Sequence, residues 1–266
     1  MSDVAKKVET LMEAMPYLEK YQGKVIVIKY GGNAMINEEL KDAVMHDVVL
    51  LKLLGMKPVL SHGGGPRLNK MLEKLDIPVE FIEGLRYTSA DIMRVVEMVL
   101  VGQVNTELVG FINKLGGKAV GLSGVSGDIY HCHQRDEVHG YVGDIDYVDP
   151  KPIFAMLDAG YIPVIAPVGT DGQGHTFNIN GDTAAGKLAS ALGAEKLVIL
   201  TDIEGLCNDI KIRDVISYLN IEDVKALKDK GTIAGGMIPK VDCCVTAIEE
   251  GVTSVHIIDG RKPHSV

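Results

Sequence analysis

Short apolar runs alternate with longer segments of helical spacing along most of the chain. The runs that predict buried strands lie at 24–30, 57–61, 118–122, 161–168, 196–202 and 254–259. The helical segments lie at 39–55, 66–75, 89–115, 182–192 and 239–250, with a further helix opening at Asp149-Pro150. Residues 128–149 form a polar, hairpin-like excursion. This alternation predicts an α/β fold with a mainly parallel sheet that has helices on both faces.

An amphipathic helix is predicted ahead of the first strand, over residues 4–20. Its apolar stripe consists of Val4, Val8, Leu11, Met12, Met15 and Leu18. Pro16 falls inside the stripe and is expected to kink or divide the helix, because proline lacks an amide donor. Two interpretations of the stripe stay open: it packs on its own domain, or it joins a neighbouring subunit.

Composition narrows the class of protein. Of 266 residues, 46% are hydrophobic, which is enough for one large α/β domain or two lobes that share a sheet. The net charge of −9 argues against binding to nucleic acid or to an anionic membrane. No apolar run approaches the length of about 18 residues that indicates a membrane span, and no signal peptide is recognisable. Four cysteines without a CxxC pair favour reduced thiols in a cytoplasmic protein.

Candidate chemistry lies at the strand ends, because ligands of open parallel sheets bind beyond the carboxyl ends of the strands. The first strand ends in Lys29-Tyr30-Gly31-Gly32, and the second ends in His62-Gly63-Gly64-Gly65-Pro66. Glycines bring backbone amides close to an anion, and Pro66 suits the first position of a helix. The first turn alone is weak evidence, whereas the second, rarer run indicates a phosphate-binding loop.

The stretch NINGDTAAGKLAS (178–190) has the G-x-x-x-x-G-K spacing of a P-loop. A P-loop requires Ser or Thr after its lysine, and Leu188 stands there; the preceding residues also make a poor strand. We therefore interpret Gly181 as a turn, Asp182 as the N-cap or first-turn residue of a helix, and Lys187 as a surface lysine. Asp182 then orients cations at a strand–helix junction.

A second glycine pair, Gly235-Gly236, precedes Lys240 at another predicted helix start. Two glycine pairs, two lysines (Lys29 and Lys240) and one carboxylate satisfy most needs of phosphoryl transfer, which depends on positioning and charge stabilisation. No strand–helix junction has GxGxxG, and the stretch around Ser123 does not complete GxSxG. Nicotinamide-dependent redox chemistry and serine hydrolysis are therefore disfavoured.

These junctions resemble those of the amino acid kinase family over nearly the whole chain. The segments that carry the resemblance are VIKYGGNAM, SHGGGP, FIEGLRYTS, NINGDTAAGKLAS, LTDIEGL, GTIAGGMIPKV and HIIDGR. GLRYT separates the branch that phosphorylates N-acetylglutamate from the branches that act on carbamate, uridylate and aspartate. The resemblance implies a three-layer α/β/α sandwich with an oligomerisation helix over 1–23. An amino-acid-binding and dimerisation lobe would span 24–180, and a nucleotide-binding lobe would span 181–266.

The activity that the resemblance implies is ATP-dependent phosphorylation of the side-chain carboxylate of N-acetyl-L-glutamate in arginine biosynthesis. Mg²⁺ would be held mainly by phosphates and water, with no protein metal site. A carboxylate acceptor has an ordinary pKa of about 4.3 and is ionised at neutral pH, so the reaction needs no general base. The alternatives left open are a kinase for an N-modified aminoadipate and a catalytically idle, arginine-sensing scaffold.

The resemblance also implies residue roles. Lys29 and Lys240 would grip the transferred phosphoryl group, and Asp182 would align them. The backbone amides of four glycines would donate hydrogen bonds to phosphate oxygens: Gly31, Gly32, and, beside the substrate, Gly64 and Gly65. Arg86 and Asn178 would bind the α-carboxylate and nearby atoms of the acceptor. Thr201, Asp202 and Gly205 would line the nucleotide side. Arg86 suits a carboxylate because its planar fork binds both oxygens.

Quaternary structure and regulation also follow from the resemblance. Family members with a helix before the first strand form hexamers, as trimers of dimers, and are inhibited by arginine. The chain ends at Val266, where the family pattern continues through a further helix and strand. A short nucleotide-binding lobe is therefore expected, with at least a dimer as the assembly.

Overall fold

The computed structural model describes residues 3–35, 37–209, 214–233 and 237–266. The helices are α1 Asp3–Tyr21, α2 Glu38–Leu53, α3 Gly65–Lys74, α4 Ala90–Val96, α5 Thr106–Lys114, α6 Lys151–Asp158, α7 Gly181–Ala191, α8 Ile221–Asp229 and α9 Met237–Glu249. The strands are β1 Val25–Tyr30, β2 Lys57–His62, β3 Phe81–Ile82, β4 Leu85–Arg86, β5 Ala119–Ser123, β6 Tyr130–Gln134, β7 Gly143–Val148, β8 Ile162–Ala166, β9 Val168–Thr170, β10 Thr176–Asn178, β11 Lys196–Thr201, β12 Cys207–Asp209, β13 Asp214–Val215 and β14 Ser254–Asp259.

A six-stranded parallel sheet in the order β14-β11-β1-β2-β8-β5 forms the centre of the molecule. All six strands that the apolar runs predict belong to it, and the predicted α/β fold with a mainly parallel sheet is confirmed. Strand β1 lies between β2 and β11, so one sheet passes through both predicted lobes. The end of β1, with Lys29, is therefore central.

Helices cover both faces of this sheet, and alternate residues of one strand reach the two sides. Ile26 and Ile28 of β1 enter a core with residues of α2, α3, α4 and α5. Val27, which points to the other face, enters a second core with residues of α6, α7 and α9. Such a strand is buried on both sides, which explains its continuous apolar sequence.

Smaller sheets lie outside the central one. The polar excursion is a hairpin of β6 and β7, as predicted, and it joins β9 and β10 in a four-stranded sheet. Strands β3 and β4 form a ribbon whose turn places Glu83 and Gly84 at positive φ, as a tight hairpin turn requires. Helix α8 was not predicted, and neither were the ribbons β3–β4 and β12–β13, whose two- or three-residue strands show no periodicity.

Helix α1 continues through Pro16, so the proline does not divide the helix, the second of the two effects expected from it. Pro16 has no amide hydrogen to donate to the carbonyl of Met12, one turn earlier. Met12 is 63% exposed, so water can satisfy that carbonyl. Leu18 and Tyr21 pack on the first core. Val8, Leu11, Met12 and Met15 remain exposed, and the side chain of Val4 lies outside the described part of the chain.

The predicted helix 89–115 is one helical segment, Ala90–Lys114, with a π-helical stretch at Glu97–Asn105 between α4 and α5. By length and composition this segment could cross a membrane, which no run in the sequence suggested. Val96, Val99 and Leu108 are instead buried in the first core. The segment is thus a core helix of the α/β fold.

Candidate active site

Helix α7 begins beside the ends of β1 and β2. The side chain of Asn180 caps it by accepting hydrogen bonds from the amides of Asp182, at 2.9 Å, and Thr183, at 3.1 Å. Asp182 therefore occupies the first turn, as interpreted from the sequence, where the helix dipole favours a carboxylate. Lys187 lies further along the helix in an ion pair with Glu250, away from any phosphate cradle.

Asp182 contacts two lysines that are distant in sequence. Nζ of Lys29 lies 2.9 Å from Oδ1, and Nζ of Lys240 donates to Oδ2 at 2.7 Å. The contact between Oδ1 and the Lys29 ammonium is an ion pair at hydrogen-bond distance. An ammonium group has three donors, so each lysine can contact Asp182 and still donate to an anion.

The charge balance at Asp182 favours the ionised carboxylate. Burial alone raises the pKa of Asp182, but attraction to Lys29 and Lys240 outweighs it and holds the pKa below the ordinary value. Two ammonium groups against one carboxylate leave a net positive charge. Such a centre attracts a multiply charged anion.

The glycine turns lie beside this charged centre. A Cβ on Gly31 would stand 2.9 Å from Nζ of Lys29, and one on Gly64 would stand 2.4 Å from Leu100 in the π-helical stretch. Gly63 joins the two turns by donating to the Tyr30 carbonyl at 2.8 Å. Among the described residues, the amides of Gly31 and Gly64 donate no hydrogen bond, so both can serve phosphate oxygens.

A cavity of about 170 Å³ opens next to these turns. Its lining includes four residues predicted to bind substrate: Gly64, Gly65, Arg86 and Asn178. Gly181 also lines the cavity, and its ideal Cβ position lies 3.8 Å from Cε of Lys29. Lys29, and through Asp182 the second lysine, is therefore connected to a residue that lines this cavity.

Arg86 lies on β4 and is only 8% exposed. Its guanidinium lies 4.8 Å from the centroid of the Phe81 ring, and Nη2 donates to Oδ1 of Asn69. Nη1 is buried and has no partner in the described part of the chain. Burial lowers the pKa of Arg86. A buried donor without a partner is costly, and a carboxylate ligand in the adjoining cavity would satisfy it.

Asn178 is joined to the Arg86 strand through Thr88. The Asn178 Nδ2 donates to the Thr88 hydroxyl at 3.1 Å, and that hydroxyl donates to the Arg86 carbonyl at 2.9 Å. Sequence reasoning named neither Thr88 nor Asn69. GLRYT contained the signal for Thr88, since its Thr lies two residues after the predicted arginine.

A buried polar pair supports the glycine turn after β2, and sequence reasoning also missed it. His62 Nδ1 donates to the Gly63 carbonyl at 2.7 Å, and His62 Nε2 accepts from Asn105 Nδ2 at 3.1 Å. Asn105 Nδ2 also lies 2.9 Å from the Val164 carbonyl, so the π-helical stretch links the turn to the sheet. Burial lowers the pKa of His62 to about 4, which keeps the ring neutral.

The residues predicted for the nucleotide side lie at the carboxyl end of β11, apart from the cavity lining. The Thr201 carbonyl accepts from Gly260 at 2.7 Å, and the Thr201 hydroxyl lies 3.4 Å from Oδ1 of Asp202. Gly205 has φ of 144°, which favours glycine. Gly235 and Gly236 lie outside the described residues. The described residues contain no group of three or more potential metal-ligating side chains.

The chain belongs to the amino acid kinase family, whose model matches residues 24–259. Within that family it is similar to proteins named acetylglutamate kinase. The one from Heliobacterium modesticaldum is 50% identical, over 100% of this chain and 95% of that protein. The one from Synechococcus sp. (strain JA-2-3B'a(2-13)) is 47% identical, over 99% of this chain and 85% of that protein. The resemblance inferred from the motifs is thereby confirmed.

Solved structures agree on the fold. N-acetylglutamate synthase from Neisseria gonorrhoeae, complexed with coenzyme A and N-acetyl-glutamate, superimposes with a TM-score of 0.84 and 25% identity. That match covers 97% of this chain and 59% of the synthase. Carbamate kinase from Giardia lamblia bound to AMP-PNP has a TM-score of 0.66 and 18% identity, over 91% of this chain and 94% of the kinase. The second likeness concerns the fold alone.

Proposed function

We propose that the chain transfers the γ-phosphoryl group of ATP to the side-chain carboxylate of N-acetyl-L-glutamate, the reaction of arginine biosynthesis that its relatives' name denotes. One observation carries the proposal: two lysines share one carboxylate on the helix that begins at the cavity, and that cavity is lined by a buried arginine with a donor that has no partner among the described residues. The lysines suit a phosphoryl group, and the arginine suits a second carboxylate.

In the proposed reaction, a side-chain carboxylate oxygen forms a bond to the γ-phosphorus as the bond from that phosphorus to the β,γ-bridging oxygen breaks. ADP takes the electron pair of the broken bond, and no proton is removed from the acceptor. Lys29 and Lys240 stabilise the charge on the transferred group, and Asp182 keeps them together. The amides of Gly31, Gly32, Gly64 and Gly65 bind phosphate oxygens.

The chain's own groups fit the phosphates of ATP, because the Lys29 ammonium lies beside Gly31, whose amide has no partner among the described residues. Thr201, Asp202 and Gly205 would then line the nucleotide in a lobe over 181–266, with the amino acid held by the lobe over 24–180. When bound, Mg²⁺ would neutralise phosphate charge, held by phosphates and water rather than by a carboxylate cage.

The direct test is an ADP-release assay with N-acetylglutamate, free glutamate and N-acetyl-aminoadipate as acceptors. We expect turnover with N-acetylglutamate and at least about tenfold lower kcat/KM with the longer homologue, since one methylene changes specificity by that order. Absence of ADP release with N-acetylglutamate would reject the proposal. A preference for the aminoadipate compound would reassign the acceptor.

Assembly and regulation form a secondary proposal: a cytoplasmic hexamer, built through α1 as a trimer of dimers and inhibited by arginine. The exposed apolar side chains Val8, Leu11, Met12 and Met15 support it, because water-exposed apolar area favours association. Sedimentation of the intact chain and of a variant lacking residues 1–20 should show a smaller assembly for the variant. An intact chain that is only dimeric would contradict this arrangement, and ADP release unaffected by arginine would contradict the regulation.

A further inference from the structure

The hydroxyl of Thr88 joins the two side chains proposed to hold the acceptor. It lies 2.9 Å from the carbonyl oxygen of Arg86 and 3.1 Å from Nδ2 of Asn178. Thr88 is completely buried, and it does not line the cavity. Thr88 can therefore act on a ligand only through its neighbours.

The direction of these hydrogen bonds is fixed by chemistry. A backbone carbonyl only accepts, so the single Thr88 proton is donated to Arg86. The same hydroxyl must then accept from its other neighbour, and only the nitrogen end of a carboxamide donates. The NH₂ group of Asn178 consequently faces Thr88. Its Oδ1, for which the described chain provides no partner, is left for the cavity that Asn178 lines.

The backbone around Thr88 is held firmly enough to impose this orientation. Its amide donates to the His139 carbonyl at 3.1 Å, and its carbonyl accepts from the Tyr141 amide at 2.6 Å. Gly140, at φ of 67°, approaches so closely that a Cβ there would stand 2.4 Å from the Thr88 carbonyl oxygen. The segment between β6 and β7 thus fixes the backbone of Thr88.

We propose that Thr88 is a positioning residue that turns the Asn178 oxygen toward the acceptor, so that the site selects an acceptor with an N–H group at its α-nitrogen. This inference rests on the proposed function. Arg86 offers donors, which suit the α-carboxylate, and Asn178 offers an acceptor, which suits the adjacent amide N–H. An N-acylated α-amino acid has these complementary groups on neighbouring atoms.

The kinetic test compares N-acetylglutamate with 2-acetoxyglutarate, in which an ester oxygen replaces the amide N–H. The wild type should prefer the amide by about tenfold or more in kcat/KM, because the ester leaves Oδ1 without its donor. Thr88→Val retains the shape without the hydroxyl and should reduce this preference by about tenfold. Thr88→Ser restores the hydroxyl and should restore the preference.

Thr170→Val is the matched control. Thr170 is a second buried threonine, at the end of β9, and its hydroxyl accepts from the Gly172 amide. That variant should lose stability and keep the amide preference, and KM for ATP should stay within about twofold in all variants. A Thr88→Val enzyme with the wild-type preference would overturn the inference. An equal rise in KM for ATP would show general damage and would also overturn it.

A second measurement needs neither turnover nor a folded Thr88→Val variant. In the unliganded wild type, the Asn178 NH₂ protons should give a nuclear Overhauser effect to the Thr88 methyl group, with the signal assigned by its loss in Asn178→Asp. Its absence would overturn the proposed orientation. If the wild type does not phosphorylate N-acetylglutamate, the proposed function fails, and this measurement still decides the contact.

Discussion

The charged centre, Lys29, Asp182 and Lys240, and the acceptor network, Arg86, Thr88 and Asn178, adjoin the same cavity but are built differently. The charged centre unites β1, α7 and α9 through ion pairs, which act over distance and tolerate small displacements. The acceptor network depends on directional hydrogen bonds, two of them through one hydroxyl. The first arrangement suits a moving phosphoryl group, and the second suits a fixed ligand.

This difference should separate kcat from KM. Groups that contact the phosphoryl group stabilise charge that develops in the transition state, so their loss lowers kcat. Groups that hold the non-reacting part of the acceptor bind ground state and transition state alike, so their loss raises KM. Three of the four predictions below test this separation, and one tests the stability of the glycine turn after β2; they run from the largest expected effect to the smallest.

Lys240→Ala should lower kcat by about 10²–10³-fold, the usual effect of removing one transition-state donor. KM for N-acetylglutamate should change little, and the measurement is steady-state ADP release. Lys187→Ala is the control, since Lys187 pairs with Glu250 on the surface of the same region. Full activity of Lys240→Ala would remove the charged centre from the mechanism.

The pH dependence of the unfolding free energy tests the buried His62, which supports the glycine turn after β2. The folded His62 has a pKa of about 4, below the ordinary value of 6.5, so the unfolded chain binds more protons between these values. The contribution is present above pH 6.5 and is lost as pH falls toward 4, by about 3 kcal/mol in total. Denaturant unfolding from pH 7 to 4.5 measures it.

His62→Gln is the control for that experiment, because glutamine does not titrate. His256, whose pKa is lowered by burial and by Lys196, contributes in the same direction in both proteins, so the difference between the two curves isolates His62. Parallel curves would show that folding does not lower the pKa of His62.

Arg86→Lys should raise KM for N-acetylglutamate by about 10–100-fold, because lysine keeps the charge and loses the planar fork. KM for ATP and kcat should be nearly unchanged. Arg94→Lys, an exposed arginine paired with Asp91, provides the control. A large fall in kcat instead would show that the acceptor network takes part in the chemistry.

Asn69→Ala should give the smallest effect, about a fivefold rise in KM for N-acetylglutamate, since it removes one hydrogen bond that holds Arg86. Asn113→Ala is a control of equal chemistry, because the Asn113 side chain accepts from the Ala119 amide. It should lower the unfolding free energy and leave KM unchanged. Equal KM for both variants would mean that Phe81 alone positions the guanidinium.

The two regions also differ in how far the sequence predicts them. Lys29 and Asp182 lie at strand–helix junctions and Lys240 lies at a predicted helix start, each near glycines, so motif and topology together bring them near one sheet edge. Thr88 and Asn69 have no such signal, because their partners come from distant loops and a ribbon of two-residue strands. The amphipathic pattern of 89–115 gave the helix, but it could not reveal the π-helical stretch that carries Asn105.

The β3–β4 ribbon, which contains Arg86, lies outside the central sheet. Lys29 belongs to β1, which is paired with β2 and β11 within that sheet. An insertion or substitution in the ribbon can therefore remodel the acceptor pocket while the hydrogen-bonded register around Lys29 stays intact. Acceptor specificity can therefore change in evolution through the ribbon, without changes to the residues that transfer the phosphoryl group.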